Sequence, residues 1–511
     1  MATDKPHSHR AQTRPPHATV LRSVLLTLAS AIIPGSGLLA TKRRALAAGF
    51  IVFALAAIGF IVWAASDGWP TLRHWAVQPR SLATISVVVV VVGLVWVASL
   101  VCTAISTRPS AATPSQRAIG AGVVAVLSIA VMAPMALASQ YATTQRNLVQ
   151  TVFASDNTRS ATIDIPKITK QIDHHNKTKS DPWKGTPRLN ILLLGGDGGY
   201  DRLGVRTDTM IVASIDTHTG NTVLLSLPRN LMRVPLPPHT ALAKAYGGTF
   251  YGAGPEGNWM LNAMYRLVPA DHPEVMKNSD HQGADILKAT IGYDLGLKID
   301  YFALVNLEGF KKLVTALGGI TVNINYPIPV GGDTDTGTAP TRYLQPGKNV
   351  HLNGGDALWY ARGRYGVAGG DYARMDRQRC FIDAVINQAN PERVLTKYEA
   401  LASSAKDIIS TDIPAKLLPQ LVDLALKIKD AKITSAVFDD KVTYYANPDW
   451  AKIKTLAQKA VKASAKKTPV HHAHAAGHKG KKTSTASPSP GSAANIHDVC
   501  AYHPGKADDT N

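Results

Sequence analysis

The chain has few acidic side chains and few cysteines for its size. Of its 511 residues, 36 are aspartate or glutamate and 55 are lysine or arginine, which gives a formal net charge of +19, and three are cysteine. A basic balance favours anionic partners, namely nucleic acid, anionic lipid or a phosphorylated substrate, although basic segments beside a membrane and in a tail would account for it equally well. No zinc-finger spacing, RNP-type aromatic motif or basic zipper region occurs in the sequence, which disfavours nucleic acid as a partner.

The acids are scarcest where the chain is most apolar, since residues 1–140 contain only Asp4 and Asp67. Four apolar stretches follow one another there, at 24–40, 45–65, 82–103 and 118–139. The last three each offer about 20 apolar residues, the length that crosses a hydrocarbon core. Pro34 and the glycines after it interrupt the first stretch, which predicts a re-entrant or interfacial segment there. A signal peptide is the competing interpretation of this stretch.

Basic residues predict the orientation of this membrane region. With three spans, the basic N-terminus, the cluster at 42–44 and the loop that carries Arg108 and Arg117 all lie on the cytoplasmic side, as the positive-inside rule requires. Arg73 and Arg80 in the outer loop make the bias moderate. The sequence therefore predicts a multi-pass plasma-membrane protein whose C-terminal part is extracytoplasmic.

Composition divides the chain into six parts. They are a cytoplasmic basic N-terminus (1–20), the membrane region (21–140), a linker (141–186), the main globular domain (187–390), a helical extension (391–462) and a disordered basic tail with a short cysteine-containing end (463–511). Histidines at 471, 472, 474 and 478 in the tail are candidate metal ligands, but a flexible basic tail is the better interpretation of that composition.

The main domain alternates short apolar runs with helical patterns. Runs at 189–195, 209–216 and 221–227 predict strands, and Gly220 ends the turn between the last two. The helical spacing at 307–317 stops at Gly318, a typical C-terminal cap. This alternation predicts an α/β fold in which helices flank a mixed central sheet.

Arginines and aspartates cluster at the predicted ends of these elements. The clusters are Gly195-Gly196-Asp197, Arg206-Thr207-Asp208, Pro228-Arg229-Asn230, and a longer group with Arg362, Arg364, Asp371, Arg374, Arg377 and Gln378. Planar guanidinium groups and a Mg²⁺ ion held by carboxylates are what a bound pyrophosphate requires. Taken singly, each residue is better interpreted as a solvated side chain or an ion pair.

The order of these motifs resembles the LytR-CpsA-Psr domain. The matching segments are Gly-Gly-Asp, Arg-Thr-Asp-Thr-Met, Ser-Leu-Pro-Arg, Leu-Asn-Gly-x-x-Ala-Leu-x-Tyr-x-Arg-x-Arg and Gly-Asp-x-x-Arg-x-x-Arg-Gln, within 187–390. The resemblance implies a polyprenyl-phosphate-binding α/β domain behind an N-terminal transmembrane helical region. It also implies transfer of a glycopolymer from a polyprenyl-pyrophosphate carrier in the membrane onto peptidoglycan. The Ala-rich, basic composition is similar to actinobacterial members.

The resemblance also implies a set of site residues. By motif, Asp197 and Asp208 would hold Mg²⁺ or Mn²⁺. The pyrophosphate-binding residues would be Arg206, Lys244, Arg374, Arg377 and Gln378, and the catalytic residues Arg229, Arg362, Arg364 and Asp371. Asp371 is the candidate for activating the acceptor hydroxyl.

One departure from the family pattern keeps other functions open. The family often has aspartate after the Pro-Arg pair, and here that residue is Asn230, which accepts hydrogen bonds but cannot act as a carboxylate base. A lipid-binding envelope regulator without turnover, and a pyrophosphatase acting on the lipid carrier, are therefore alternatives to the transferase.

Two of the cysteines lie in the part predicted to be exported. A disulfide persists in that compartment, so Cys380 and Cys500 are a candidate bridge, with two free thiols as the alternative. Cys102 falls in an apolar run, which predicts a small hydrophobic side chain there.

Overall fold

The computed structural model describes residues 16–109, 112–178, 180–197, 206–333, 336–388, 409–465 and 490–503. Their contacts divide the chain into two compact units, Met1–Arg146 and Asn147–Asn511, called here the membrane unit and the globular unit. The tail histidines at 471–478 and the residues at 389–408 lie outside the described part.

The helices and strands alternate only in the globular unit. The helices are α1 Pro16–Ile32, α2 Arg44–Ser66, α3 Trp69–Trp75, α4 Pro79–Thr107, α5 Pro114–Val152, α6 Ile165–Thr178, α7 Ala241–Tyr246, α8 Met264–Asp271, α9 Gln282–Leu295, α10 Leu307–Leu317, α11 Gly354–Arg362, α12 Gly370–Gln388, α13 Leu418–Lys429, α14 Trp450–Ser464 and α15 Ile496–Val499. The strands are β1 Arg188–Gly196, β2 Thr207–Asp216, β3 Thr222–Leu227, β4 Val234–Pro235, β5 Thr249–Phe250, β6 Tyr301–Asn306, β7 Ile320–Ile324, β8 Ile328–Asp333, β9 Thr338–Leu344, β10 Gly347–Leu352, β11 Ile409–Thr411, β12 Ile433–Val437 and β13 Ala494–Asn495.

Within the described residues, three helices are long and apolar enough to cross a membrane, namely α2, α4 and α5. They correspond to the three predicted spans and indicate that the protein is membrane-associated. The first apolar stretch forms the shorter α1, which ends just before Pro34, where the missing N–H and the ring of proline stop a helix.

The chain doubles back after α1. Three hydrogen bonds fix its path against α4, namely Ser23 Oγ with Thr107 Oγ1 (2.8 Å), Ser30 Oγ with Thr103 Oγ1 (2.9 Å) and Gly35 N to Ser99 Oγ (3.2 Å). Gly37 N then donates to Ser30 Oγ of α1 (3.0 Å). The chain therefore approaches along α4 as far as Ser99 and then returns past Ser30. Gly37 lies beside Ser30 and Leu26 of α1, so the chain turns back in the direction from which α1 came.

The globular unit is built on a seven-stranded mixed sheet with the strand order β11-β6-β1-β2-β3-β12-β13. The strands β1, β2 and β3 form an antiparallel meander, whereas β6 and β12 lie parallel to β1 and β3 respectively. The predicted turn at 217–220 joins β2 to β3. The predicted α/β fold with a mixed central sheet is confirmed.

Alternate side chains of the sheet enter two different apolar cores, as the two-residue repeat of a strand requires. Leu192 and Val212 point to the larger core, which α9 and α14 cover. Ile211 and Leu224 point to the opposite face, where α15 contributes Ile496. Helices thus cover both faces of the sheet.

A smaller lobe carries the helices that complete the candidate site. Strands β7, β8 and β10 pack with α10, α11 and α12 around their own buried residues, Phe310 and Phe381 among them. The helix α10 ends at Gly318, which has the left-handed conformation (φ 86°) that the sequence predicts for this cap.

The structure differs from the predicted division of the chain at three places. Residues 155–186, predicted as a linker, pack into the globular unit, because Ile165, Ile168 and Ile172 form one apolar face of α6. The predicted helical extension supplies β11 and β12 to the central sheet. The end of the chain supplies β13, although it was predicted to belong to a disordered tail.

A disulfide joins Cys380 in α12 to Cys500, just beyond α15, which confirms the predicted bridge. The two cysteines are separated by 120 residues along the chain, so the bridge removes much conformational freedom from the unfolded state.

Replacing Cys500 with serine is expected to lower the free energy of unfolding by about 2–5 kcal/mol, since closing a long loop has an effect of this size. The melting temperature of the full chain in detergent, with and without reductant, measures the change. Cys102→Ser is the matched control, because Cys102 lies in α4 and forms no disulfide. Equal melting temperatures for wild type and Cys500→Ser would contradict the expected role.

Candidate functional site

The candidate site lies at one edge of the central sheet. Because β1, β2 and β3 run antiparallel, the end of β1, the start of β2 and the end of β3 meet there. Asp197 directly follows β1, Asp208 is the second residue of β2, and Arg229 is the second residue after β3. Asp197 Oδ1 accepts a 2.7 Å hydrogen bond from the backbone N–H of Arg206, which holds the two flanking segments together.

A polar pocket of about 290 Å³ opens at this edge. Its lining residues are Asp197, Arg206, Asp208, Arg229, Gly331, Gly332, Asp333, Trp359, Arg362, Arg364, Tyr365 and Arg374. Five of them are arginines and three are aspartates. The pocket brings together seven of the eleven residues predicted from the sequence.

Arg229 links two carboxylates at the base of the pocket. Its guanidinium donates to Asp208 Oδ1 at 2.7 Å and lies 3.3 Å from Asp371 Oδ1. Burial alone would raise the pKa of Asp208, but the charges of Arg229 and Arg374 and the hydrogen bonds of the carboxylate outweigh it and lower that pKa. Asp208 is therefore ionised throughout the physiological range.

Arg374 is the most deeply placed of the pocket arginines. It is 2% exposed and donates to the backbone oxygen of Asp208 (2.9 Å) and to Asp371 Oδ2 (3.0 Å). Burial, opposed by the charge of Asp371, lowers its pKa to about 10, so it keeps its positive charge at neutral pH. Arg374 thereby fixes the first turn of α12 against the start of β2.

Asp371 lies behind the pocket rather than in its wall. It contacts three arginines, since Arg364 lies 3.7 Å away in addition to Arg229 and Arg374. The geometry therefore favours a positioning role for Asp371 over the predicted activation of an acceptor hydroxyl.

Arg377 and Gln378 are also behind the pocket. Arg377 donates to the backbone oxygens of Tyr360 (2.7 Å) and Gly363, and Gln378 donates to that of Ala361 (3.2 Å). These carbonyls belong to the end of α11 and the turn after it. The two side chains, predicted to support the pyrophosphate, instead hold the segment that presents Arg362 and Arg364.

Lys244 is not among the lining residues of the pocket. It lies on the exposed side of α7, a short helix capped by Thr240 and ended by Gly247. The structure thus does not bring Lys244 together with the other predicted residues.

Sequence reasoning missed the second wall of the pocket. Gly331, Gly332 and Asp333 come from β8, and Trp359 packs under Arg362, whose guanidinium carbon lies 5.5 Å from the tryptophan ring centre. The sequence did carry a signal for this wall, because an acidic residue, Asp333, directly follows the pair Gly331-Gly332. The Gly-Gly pair has positive φ angles at both positions (75° and 81°), which residues with side chains rarely adopt.

The donors of the pocket fit a hard divalent cation. Asp197 and Asp208 both line it with carboxylate oxygens, and no group of three or more histidine, cysteine, aspartate or glutamate side chains occurs within the described residues. Mg²⁺ takes few protein ligands and completes its shell with phosphate oxygens and water. A pocket with two carboxylates beside five arginines is therefore compatible with Mg²⁺ bound together with a polyphosphate, and not with a closed protein cage.

Asn230 does not line the pocket. Its Oδ1 is buried and makes no hydrogen bond within the described part of the chain. The arginine pocket is thus complete without a carboxylate at this position.

Comparison with known proteins identifies the domain. The LytR_cpsA_psr family model matches residues 155–467, more than half of the chain. The chain belongs to the LytR_cpsA_psr family. The matched range includes α6 and β12 and is wider than the domain predicted from the motifs.

Two curated relatives illustrate what this LytR_cpsA_psr protein is similar to. Biofilm regulatory protein A of Streptococcus mutans is 28% identical over 48% of this chain and 55% of its own length. Polyisoprenyl-teichoic acid–peptidoglycan teichoic acid transferase TagU of Enterococcus faecalis is 29% identical over 48% of this chain and 70% of its own length. The chain thus spans only about half the length of the Streptococcus mutans protein. Among solved structures, protein gbs0355 of Streptococcus agalactiae is 25% identical over 56% of this chain and 90% of its own, with a TM-score of 0.41.

Proposed function

We propose that this protein is a phosphotransferase that moves a glycopolymer from a polyprenyl-pyrophosphate carrier to peptidoglycan. The observation that carries the proposal is the pocket at the sheet edge, in which five arginines and three aspartates converge. Bidentate guanidinium groups match phosphate oxygens in geometry and charge. The name of the Enterococcus faecalis relative describes a transferase of this kind.

The proposed reaction is the attack of a peptidoglycan hydroxyl on the sugar-side phosphorus of the carrier. A new O–P bond forms, the bridging P–O bond breaks, polyprenyl phosphate leaves with the electron pair, and the proton of the hydroxyl is released to water. Phosphoryl transfer needs positioning and charge stabilisation more than covalent chemistry. Arg229, Arg362 and Arg364 would stabilise the charge that develops on the transferred group.

Magnesium or manganese is part of the proposal. Asp197 and Asp208 would hold the ion, which would neutralise pyrophosphate oxygens when bound. Other residues of the chain position the arginines of the pocket. Arg374 and Asp371 fix the first turn of α12. Arg377 and Gln378 hold the segment that carries Arg362 and Arg364.

The proposed orientation places the globular unit outside the cell. The turn of the chain after α1 supports a re-entrant first segment, with which the positive-inside rule puts Arg22, the cluster at 42–44 and Arg108 on a common cytoplasmic side. The composition resembles actinobacterial members, which favours an arabinogalactan-type polymer as the transferred glycan.

Replacing Arg364 with alanine tests the proposal. The full chain in detergent receives a synthetic polyprenyl-pyrophosphate glycan and a peptidoglycan fragment, with Mg²⁺ or with a chelator. We expect an adduct that forms only with Mg²⁺ and forms roughly 10- to 100-fold more slowly in Arg364→Ala, because one charge-stabilising donor is lost. Arg233→Ala is the matched control, since Arg233 stacks on Tyr251 and does not line the pocket. Normal turnover of Arg364→Ala would remove this arginine from the site, and phosphate release without an acceptor would identify a pyrophosphatase instead.

A lipid-binding regulator is the second candidate function, favoured by Asn230 and by the name of the Streptococcus mutans relative. It predicts tight retention of the lipid and no adduct with any acceptor. For the transferase, we expect Asn230→Asp to change the transfer rate by less than about tenfold, well below the effect of losing a charge-stabilising donor. The same adduct assay measures it, and transfer that appears only in Asn230→Asp would favour the regulator for the natural chain.

A further inference from the structure

A second pocket lies within the membrane unit, between α1, α4 and α5. Its volume is about 350 Å³. Most of its wall is apolar, with Val20, Val24, Val101, Ala104, Ile105, Ala112, Ala121, Val123, Val124 and Ala125 among its lining residues. Two arginines stand at one end of it, Arg108 directly after α4 and Arg117 in the first turn of α5. The pocket thus combines an apolar interior with a cationic mouth.

Within residues 16–109 and 112–146, the two arginines form no ion pair with a carboxylate. Both are exposed, and within residues 16–109 and 112–146 the one acidic side chain is Asp67. Asp67 follows the C-terminal end of α2, whereas the basic cluster at 42–44 lies at its N-terminal end. The charge at the mouth of the pocket therefore calls for an anion from outside the chain.

The position of the pocket defines the chemistry of that anion. Its walls are helices that are long and apolar enough to cross a membrane, or pack directly on such a helix. A free phosphate would use the arginines but not the apolar wall. A neutral or zwitterionic lipid would fill the wall but leave the two positive charges without a net negative partner. An amphiphile with an anionic head satisfies both parts.

We propose that this pocket binds one anionic phospholipid of the bilayer. Its phosphate lies at Arg108 and Arg117, and an acyl chain runs along the wall formed by α1, α4 and α5. A basic pocket between transmembrane helices is a known way to hold an anionic head group. The site is separate from the arginine pocket of the globular unit and does not depend on the proposed transfer reaction.

Lipid binding to the full chain, measured by native mass spectrometry from detergent, tests this site. The probes are phosphatidylglycerol and phosphatidylcholine with the same acyl chains, and polyprenyl phosphate. We expect one saturable phosphatidylglycerol site, whose affinity falls roughly tenfold in the double variant Arg108→Gln/Arg117→Gln. The matched control is Arg73→Gln/Arg80→Gln, which removes the same charge from α3 and the start of α4 and should leave the affinity unchanged.

A second variant separates the pocket from diffuse attraction to a basic surface. Gly120 lines the pocket, and a Cβ added there would meet no atom within 4 Å, so Gly120→Leu fills space without removing charge. We expect it also to weaken phosphatidylglycerol binding. The proposal is overturned if phosphatidylcholine binds as well as phosphatidylglycerol, if both double variants bind alike, if Gly120→Leu binds normally, or if polyprenyl phosphate is strongly preferred over the phospholipid.

Discussion

Replacing Arg229 with alanine is expected to lower the rate of glycan transfer by roughly 10² to 10³, the cost of removing one charge-stabilising donor from a preorganised site. The effect should exceed that of Arg364→Ala. Arg229 is buried more deeply than Arg364, with 22% of its side chain exposed against 42%. It also lies between Asp208 and Asp371, so its loss leaves the Asp208 carboxylate in the pocket, and Asp371 behind it, without their shared cation.

The substitution Arg229→Lys separates charge from geometry. Lysine keeps the positive charge but lacks the planar guanidinium group that can contact both carboxylates and a phosphate at once. We therefore expect the transfer rate of Arg229→Lys to lie between those of Arg229→Ala and the wild type. Single-turnover rates at saturating lipid measure the chemical step, and the melting temperature of each variant verifies that it is folded. If Arg229→Ala is folded and transfers glycan at the wild-type rate, the arginine pocket is not the site of the reaction.

The core of the site could be predicted because its residues are local in sequence. Asp197, Asp208 and Arg229 flank three consecutive strands joined as an antiparallel meander. A hairpin signal at 217–220 brings the start of β2 and the end of β3 to one edge, and the short connection from β1 to β2 allows the end of β1 to lie beside them. Arg362 and Arg364 could be placed only through the family resemblance, since nothing local indicates which edge of the sheet α11 approaches.

The remaining parts of the fold depend on contacts between distant segments. The strand β11 has three residues and pairs with β6, more than 100 positions earlier in the chain, and β12 pairs with β3 over 200 positions away. Neither pairing has a local signal. The hydrogen bonds of Arg377 and Gln378 could not be predicted for the same reason, because two polar side chains on a helix give no indication that they will donate to backbone carbonyls of another element.

Lys288 is a further residue whose role is visible only in the structure, and it carries the largest expected effect on stability. It is fully buried in α9, and its Nζ lies 2.5 Å from Asp412 Oδ2 and 3.6 Å from Asp285 Oδ1. Asp412 also accepts a hydrogen bond from the backbone N–H of Phe302 in β6 (2.8 Å). Asp285 accepts a hydrogen bond from the backbone N–H of Ala161 (2.7 Å). The ammonium group thus joins α9 to the segment after β11, and its neighbour Asp285 joins α9 to the segment before α6.

Replacing Lys288 with alanine is expected to lower the free energy of unfolding by about 3–5 kcal/mol, because it leaves buried carboxylates without their cation. Guanidinium unfolding of the full chain in detergent, followed by tryptophan fluorescence, measures the change. Lys298→Ala is the matched control. Its Nζ pairs with Asp300 at 3.0 Å, but its side chain is 80% exposed, so its loss should cost less than about 1 kcal/mol.

The double variant Lys288→Met/Asp412→Asn tests whether the unpaired charge causes that loss. It removes the cation and one carboxylate together, while Asp285 keeps its hydrogen bonds from Ser160, Ala161 and Thr162. A buried ion pair replaced as a unit costs far less than one broken on one side. We therefore expect the double variant to be more stable than Lys288→Ala. Suppose instead that the double variant loses as much stability as the single variants Lys288→Met and Asp412→Asn lose together. The lysine then contributes through packing and not through charge, and apolar contacts alone hold the three segments together.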